Sequence, residues 1–140
     1  MKPESMAIRQ WYGARSRRVI GLFDTGSEDG LIRRSAARGL ARAKLPTAVS
    51  VIGIGGAVSK AEESAVLLVR ALGKWCRYAA LVVPDRALDV DLLIGEDFLS
   101  RFGLIVDVRK NAVEVAYPEH FRRMTRRAVF VASPRGTPPR

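Results

Sequence analysis

The chain has 140 residues, 48% of them hydrophobic and 27% charged, with a formal net charge of +10. That length and balance suit one soluble domain with its own core. No apolar run approaches the roughly 20 residues that a membrane helix needs, and a lone cysteine, Cys76, excludes a disulfide framework within one chain. The excess charge is uneven. Residues 121–140 hold six arginines and no acid, whereas residues 1–120 carry eighteen basic groups against fourteen acidic ones. Met1 to Ser5 contains no apolar stretch of the secretory kind, so a cytoplasmic location is expected.

Residues 1–17 show no hydrophobic period and are expected to form an N-terminal arm. Val19-Ile20-Gly21-Leu22-Phe23 is a short apolar run ending in Asp24-Thr25-Gly26, the pattern of a buried strand entering a turn. Leu31 to Ala43 spaces its apolar residues among arginines as a weak helix interrupted by Gly39. Ala48 to Ile52 predicts a strand, and Gly53-Ile54-Gly55-Gly56 follows, three glycines in four residues, before a second strand near Ala57. Ser64 to Ala71 and Trp75 to Val83 are β-rich and flank Gly73-Lys74, a second hairpin. Leu92-Leu93-Ile94 predicts another buried strand, reaching Gly95. Glu96 to Arg101 suits a short helix stopped by Gly103. Leu104 to Val108 and Ala112 to Val115 flank Arg109-Lys110-Asn111 as a final hairpin. Residues 118–140 have the composition of a flexible basic tail; it reads first as a solvated tail that aids solubility or as an arginine bias of a GC-rich genome, and second as a binder of nucleic acid or an acidic surface through counterion release. The fold class is therefore mostly β, with one or two short helices and no parallel βαβ pattern.

Alone, Asp-Thr-Gly is often just a turn. Its context narrows the reading. An apolar strand precedes it, a glycine-rich hairpin tip comes about thirty residues later, and an apolar-apolar-Gly strand end comes about forty after that. Together, Val19 to Ser27, Val51 to Gly56 and Leu92 to Val115 resemble the active-site strand, flap and hydrophobic-hydrophobic-Gly segment of retropepsin-like aspartic proteases. The segment Leu93 to Gly103 is similar to bacterial and retroelement members and to the eukaryotic DNA-damage-inducible, ubiquitin-linked proteases. The resemblance covers residues 18–117 and implies a single-lobe acid-protease β-barrel.

Amide hydrolysis needs a water made nucleophilic and a carbonyl made electrophilic, tasks that an ionised and a neutral carboxyl can divide. Two adjacent Asp side chains share one proton because both cannot stay charged. This chain has one Asp-Thr-Gly and no second copy. The expected enzyme is accordingly a homodimeric aspartic endopeptidase with Asp24 as acid or base, acting on peptide and needing neither metal nor cofactor. The resemblance gives Thr25 a hydrogen bond across the dyad, gives Gly26 close backbone approach, and makes Gly53, Ile54, Gly55 and Gly56 a flap. Ser27, Glu28, Asp29 and Ile94 join these as substrate-side residues.

Ser27, where retroviral members usually have Ala, is expected to donate to the Asp24 carboxylate and shift the pH–rate profile toward acid. Retroviral members carry Arg after the Ile-Gly pair; here Glu96 faces Glu28 or Asp29, so Arg101 or an arginine of residues 15–18 becomes the substitute partner. Leu104 to Val115 is the expected main dimer interface. His120 is assigned to the surface, Cys76 to core packing, and Trp11-Tyr12 to packing at the dimer surface. Two other classes compete: a catalytically silent peptide-binding dimer of the same fold, and a retroelement protein that binds nucleic acid through its tail.

Overall fold

A computed structural model describes residues 1–13 and 15–131. Nine strands and two α-helices follow in the order β1 (Glu4–Arg9), β2 (Ser16–Phe23), β3 (Leu31–Arg33), β4 (Ala41–Ile52), β5 (Val58–Ala71), β6 (Lys74–Val83), β7 (Leu92–Ile94), α1 (Glu96–Phe102), β8 (Leu104–Asp107), β9 (Ala112–Val115) and α2 (Pro118–Val131). Seven strands form one sheet ordered β1-β2-β7-β3-β6-β5-β4, and β1 also pairs with β5. That extra pairing, Ile8 with Val69 and Arg9 with Leu68, closes six strands into a barrel and leaves β4 as a hairpin partner outside it. Closure removes the free edges that an open sheet would expose.

The period-2 pattern explains the barrel. Cys76, Tyr78, Ala80 and Val82 alternate along β6, and Ala65, Leu67 and Val69 along β5; all seven are buried in one cluster with Phe98 and Phe102. The β5–β6 turn uses the left-handed conformation twice, at Leu72 (φ 50°) and Gly73 (φ 78°). Both central residues at positive φ match the twist of a two-residue hairpin. Cys76 fills the packing role expected of it: it is fully buried, and burial pushes its thiol up to about 12. Helix α1 ends where predicted, with Gly103 in the left-handed cap conformation and its N–H directed to the Leu99 and Ser100 carbonyls. The hairpin β8–β9 forms in register from Leu104–Val115 to Asp107–Ala112, as a separate two-stranded sheet.

Three sequence expectations are corrected. The N-terminal arm is in part a barrel strand: Met6 and Ile8 point inward and are buried, a two-residue alternation too short to register as a period. The weak helix over Leu31 to Ala43 does not form. Leu31 and Ile32 are claimed by the sheet, between β6 and β7, and Gly39 turns the chain at φ 82° into β4. The flexible tail is helical over Pro118–Val131, while residues 132–140 lie outside the described residues. Pro118 suits a first helical position because its missing N–H is needed by no helical partner. Phe121 and Thr125, one turn apart, bury one face, and Thr125 Oγ1 donates to the Phe121 carbonyl at 2.8 Å. His120, assigned to the surface, is partly exposed in this helix, with Nε2 2.7 Å from the Arg101 carbonyl oxygen of α1.

Helix α2 is thus part of the core. Phe121→Ala should lower the unfolding free energy by about 3 kcal/mol, read as a shift in the denaturant midpoint; an unchanged midpoint would show the helix to be detached. The folded protein should leave Cys76 unmodified by a thiol reagent at pH 8 and expose it only on unfolding.

Candidate active site

Asp24 stands where β2 leaves the barrel. Strand β2 runs parallel to β7, with Phe23 beside Ile94, so both strands end at the same rim. There the backbones lock. Asp24 N–H donates to the Ile94 carbonyl at 2.8 Å, Glu96 N–H to the Ser27 carbonyl at 2.7 Å, and Asp97 N–H to the Glu28 carbonyl at 3.1 Å. The loop Asp24–Asp29 is therefore held against the start of α1 by main chain alone.

Gly95 makes this approach feasible. A β-carbon there would lie 2.7 Å from both the Ser27 and the Asp29 carbonyl oxygens, well inside contact distance. Its N–H donates to the Tyr78 hydroxyl at 3.1 Å, and that hydroxyl donates in turn to Asp97 Oδ1 at 2.6 Å. Burial, with the Asp97 bond behind it, drives the Tyr78 phenol far above its ordinary value, so it remains a neutral donor. The Tyr78 ring stacks edge-on to Phe98 at 5.0 Å, and Phe98 meets Phe23 at 6.1 Å. An aromatic layer thus underpins the strand that carries Asp24. Tyr78 was missed by sequence reasoning. The one available signal was a tyrosine at an inward position of β6, whose hydroxyl must find a partner.

Within the loop, Gly26 N–H donates to Asp24 Oδ1 at 2.8 Å, and Ser27 N–H donates to the Asp24 carbonyl at 3.2 Å. Asp24 is half-buried, and Thr25 and Gly26 are exposed. The expectation for Ser27 is overturned: its hydroxyl donates to the Asp29 carbonyl at 2.7 Å, so it braces the loop and does not touch the Asp24 carboxylate. The ground for an acid-shifted profile falls with it. Glu28 and Asp29 are exposed. Among the described residues, neither Arg101 nor any of Arg15, Arg17 and Arg18 pairs with them. Arg101 lies over the Phe102 ring, Arg17 donates to the Ala36 carbonyl, and Arg18 donates to Ser5. Within the single chain, backbone bonds from Glu96 and Asp97 hold this loop.

The glycine-rich tip closes the β4–β5 hairpin. Strands β4 and β5 pair up to Ile52 and Val58, and Gly53 N–H donates to the Ala57 carbonyl at 2.7 Å. Gly55 and Gly56 both take positive φ, 72° and 81°, which glycine adopts at little cost. Gly53 rests on the turn Asp85–Ala87: a β-carbon would meet the Ala87 carbonyl oxygen at 2.8 Å. Ile52 and Val58 are 75% and 66% exposed, leaving an apolar pair bare at the tip. The Ile54 side chain lies outside the described residues. Ile94 is fully buried beneath the loop, a supporting position and not one that touches substrate, which corrects its assignment.

This topology has known counterparts among solved structures. The retroviral protease-like domain of Ddi1 from Leishmania major superposes with a TM-score of 0.54 at 16% identity, over 82% of this chain and 89% of that one. EIAV protease complexed with the inhibitor HBY-793 gives 0.50 at 18% identity, over 71% and 85%. The fold is retropepsin-like. No family model matches the sequence, and no curated protein matches it. No described helix is long and apolar enough to cross a membrane.

The retropepsin-like rim depends on Gly95 and Tyr78 together. Tyr78→Phe removes the acceptor of the Gly95 N–H and the donor to Asp97, and should cost about 1–3 kcal/mol. Gly95→Ala should yield little folded protein, because the clash is with backbone. Native-like stability of Gly95→Ala by thermal unfolding would contradict the lock.

Proposed function

We propose that the chain is an aspartic endopeptidase that works as a homodimer, with Asp24 and its symmetry copy forming the catalytic dyad. The observation that carries the reading is the Asp24 loop itself. A half-buried carboxylate sits at the end of a barrel strand, oriented by Gly26 N–H and fixed by the Ile94-Gly95-Glu96 lock. The retropepsin-like fold supports it. One chain supplies one such carboxylate, and closed twofold symmetry supplies the other.

In the dyad, the ionised Asp24 takes a proton from the attacking water while the neutral partner carboxyl donates its proton to the scissile carbonyl oxygen. The tetrahedral intermediate then collapses, and the amine leaves with a proton returned from the dyad. Thr25, exposed on the rim, hydrogen-bonds across the twofold axis and holds the two loops together. The β4–β5 hairpin is the flap, with Ile52 and Val58 covering bound peptide and excluding water. Glu28, Asp29 and the backbone of Gly53–Gly56 line the substrate path. The hairpin β8–β9, with Ile105 50% and Val108 78% exposed, is the main interface, because an exposed two-stranded sheet can extend by pairing across a twofold axis.

An unstructured protein substrate, incubated from acid to neutral pH, should be cleaved by the native chain, inhibited by pepstatin, and left intact by Asp24→Asn. Cleavage that survives Asp24→Asn would sink the mechanism. Binding without cleavage at any pH would favour a silent peptide-binding dimer. Because the Ser27 hydroxyl is engaged by Asp29, Ser27→Ala should leave the acid limb of the pH–rate profile in place; a shift of that limb toward higher pH would restore a direct bond to Asp24.

A further inference from the structure

Beside this rim lies a second concave feature that the peptidase chemistry does not use. An open surface depression of about 510 Å³ is lined by Arg34, Ser35, Arg38, Arg42, Asp85 and Arg86, with Pro84 at its wall. Three segments that frame the proposed cleft build it. Arg34 and Arg38 come from the turn after β3, which follows directly from the Asp24 loop. Arg42 stands near the start of β4, the strand that becomes the flap. Asp85 and Arg86 belong to the same short turn on which Gly53 rests through Ala87.

The charges are unbalanced. Arg42 is paired with Glu63 at 3.3 Å, but Arg34, Arg38 and Arg86 make no ion pair among the described residues and all three are exposed. Asp85, the one acid in the lining, accepts the Ser35 N–H at 3.0 Å. That bond, helped by the nearby positive charges of Arg33 and Arg34, holds its carboxyl below the usual carboxylate range, which leaves Arg38 and Arg86 as the arginines least offset by it. Backbone bonds fix the walls: Arg34 N–H donates to the Val83 carbonyl and Leu88 N–H to the Asp85 carbonyl, at 2.9 and 3.4 Å. Three guanidinium forks around a framed hollow are suited to an anionic side chain, which they can bind through charge-assisted, bidentate hydrogen bonds.

We propose that this hollow is a specificity subsite that takes an acidic side chain of the substrate, at a position flanking the scissile bond. The identification of the ligand as substrate rests on the peptidase reading; the anion site itself does not. A peptide running along the cleft under the β4–β5 hairpin passes the 85–87 turn, and a Glu or Asp extended from it enters the hollow. Arg38 also lines the neighbouring cavity with Arg9, Arg15 and Arg17, which extends the positive field outward and draws acidic chains toward the rim.

Matched peptides carrying Glu or Gln at successive positions around the cleaved bond test the proposal in two arms. In the first, kcat/KM for the native enzyme should favour Glu over Gln at one position, and Arg34→Ala with Arg86→Ala should remove that preference, roughly tenfold per arginine, while the Gln peptide is cleaved as before. Arg86→Glu should reverse the preference toward a Lys peptide. In the second arm, Asp24→Asn binds the same labelled peptides by fluorescence anisotropy, with no need for turnover. A phosphoserine peptide distinguishes a phosphoryl from a carboxylate ligand, and preference for either over Gln supports the subsite.

Selective Glu binding by a protein that cleaves nothing would keep the anion site and remove the peptidase reading. Cleavage with Glu and Gln equal in both arms would remove the subsite and keep the peptidase. Peptide indifference combined with salt-sensitive binding of a single-stranded oligonucleotide that the arginine variants lose would overturn the proposal in favour of a nucleic-acid surface.

Discussion

The architecture of the rim depends on one close approach of two backbones. Strands β2 and β7 end side by side, and the chain beyond each is tied to the other by N–H bonds to the Ile94, Ser27 and Glu28 carbonyls. Only a residue without a β-carbon fits between the Ser27 and Asp29 carbonyls, and Gly95 fills that place. The same glycine begins α1, delivers its N–H to Tyr78, and fixes how Phe98 packs under Phe23. Removing the approach would detach the Asp24 loop from its support, tilt α1 and open the aromatic layer together. A loop held this way presents its carboxylate in a fixed position before any ligand arrives, and such preorganisation is what positioning catalysis requires.

Much of this was legible in the residues, and the reasons differ by element. The hairpins over 64–83 and 104–115 and the Gly103 cap declare themselves through local chemistry: alternation, a turn glycine, a stop. Helix α2 was hidden by composition. Its arginines dominate the count, while the two residues that bury it, Phe121 and Thr125, include a polar one that satisfies its hydroxyl within the helix. The stretch from Leu31 to Ala43 misled for the opposite reason, since its spacing fits a helix but Leu31 and Ile32 are bounded on both sides by neighbouring strands. Propensity yields there to pairing partners far away in sequence.

At the candidate site the motifs located the loop, the glycine-rich hairpin and the Ile94-Gly95 strand end. The side-chain partners were not legible. Whether Ser27 donates to Asp24 or to Asp29 depends on the curvature of the loop, which residue identity does not encode. Tyr78 reaches the site across 17 residues from Gly95 and 19 from Asp97, a contact that only the barrel brings together. The arginines of the side hollow are likewise scattered from 34 to 86 and converge because β3, β4 and the 85–87 turn meet at one rim.

The proposed catalysis needs two Asp24 carboxylates from two chains, and mixing tests it most directly. Native and Asp24→Asn chains are unfolded, combined in varied proportion at constant total concentration, refolded, and assayed on one peptide. If the dyad spans the dimer, only native–native pairs cut, and activity falls as the square of the native fraction. Activity falling linearly with that fraction would mean that each chain works alone and would contradict the account.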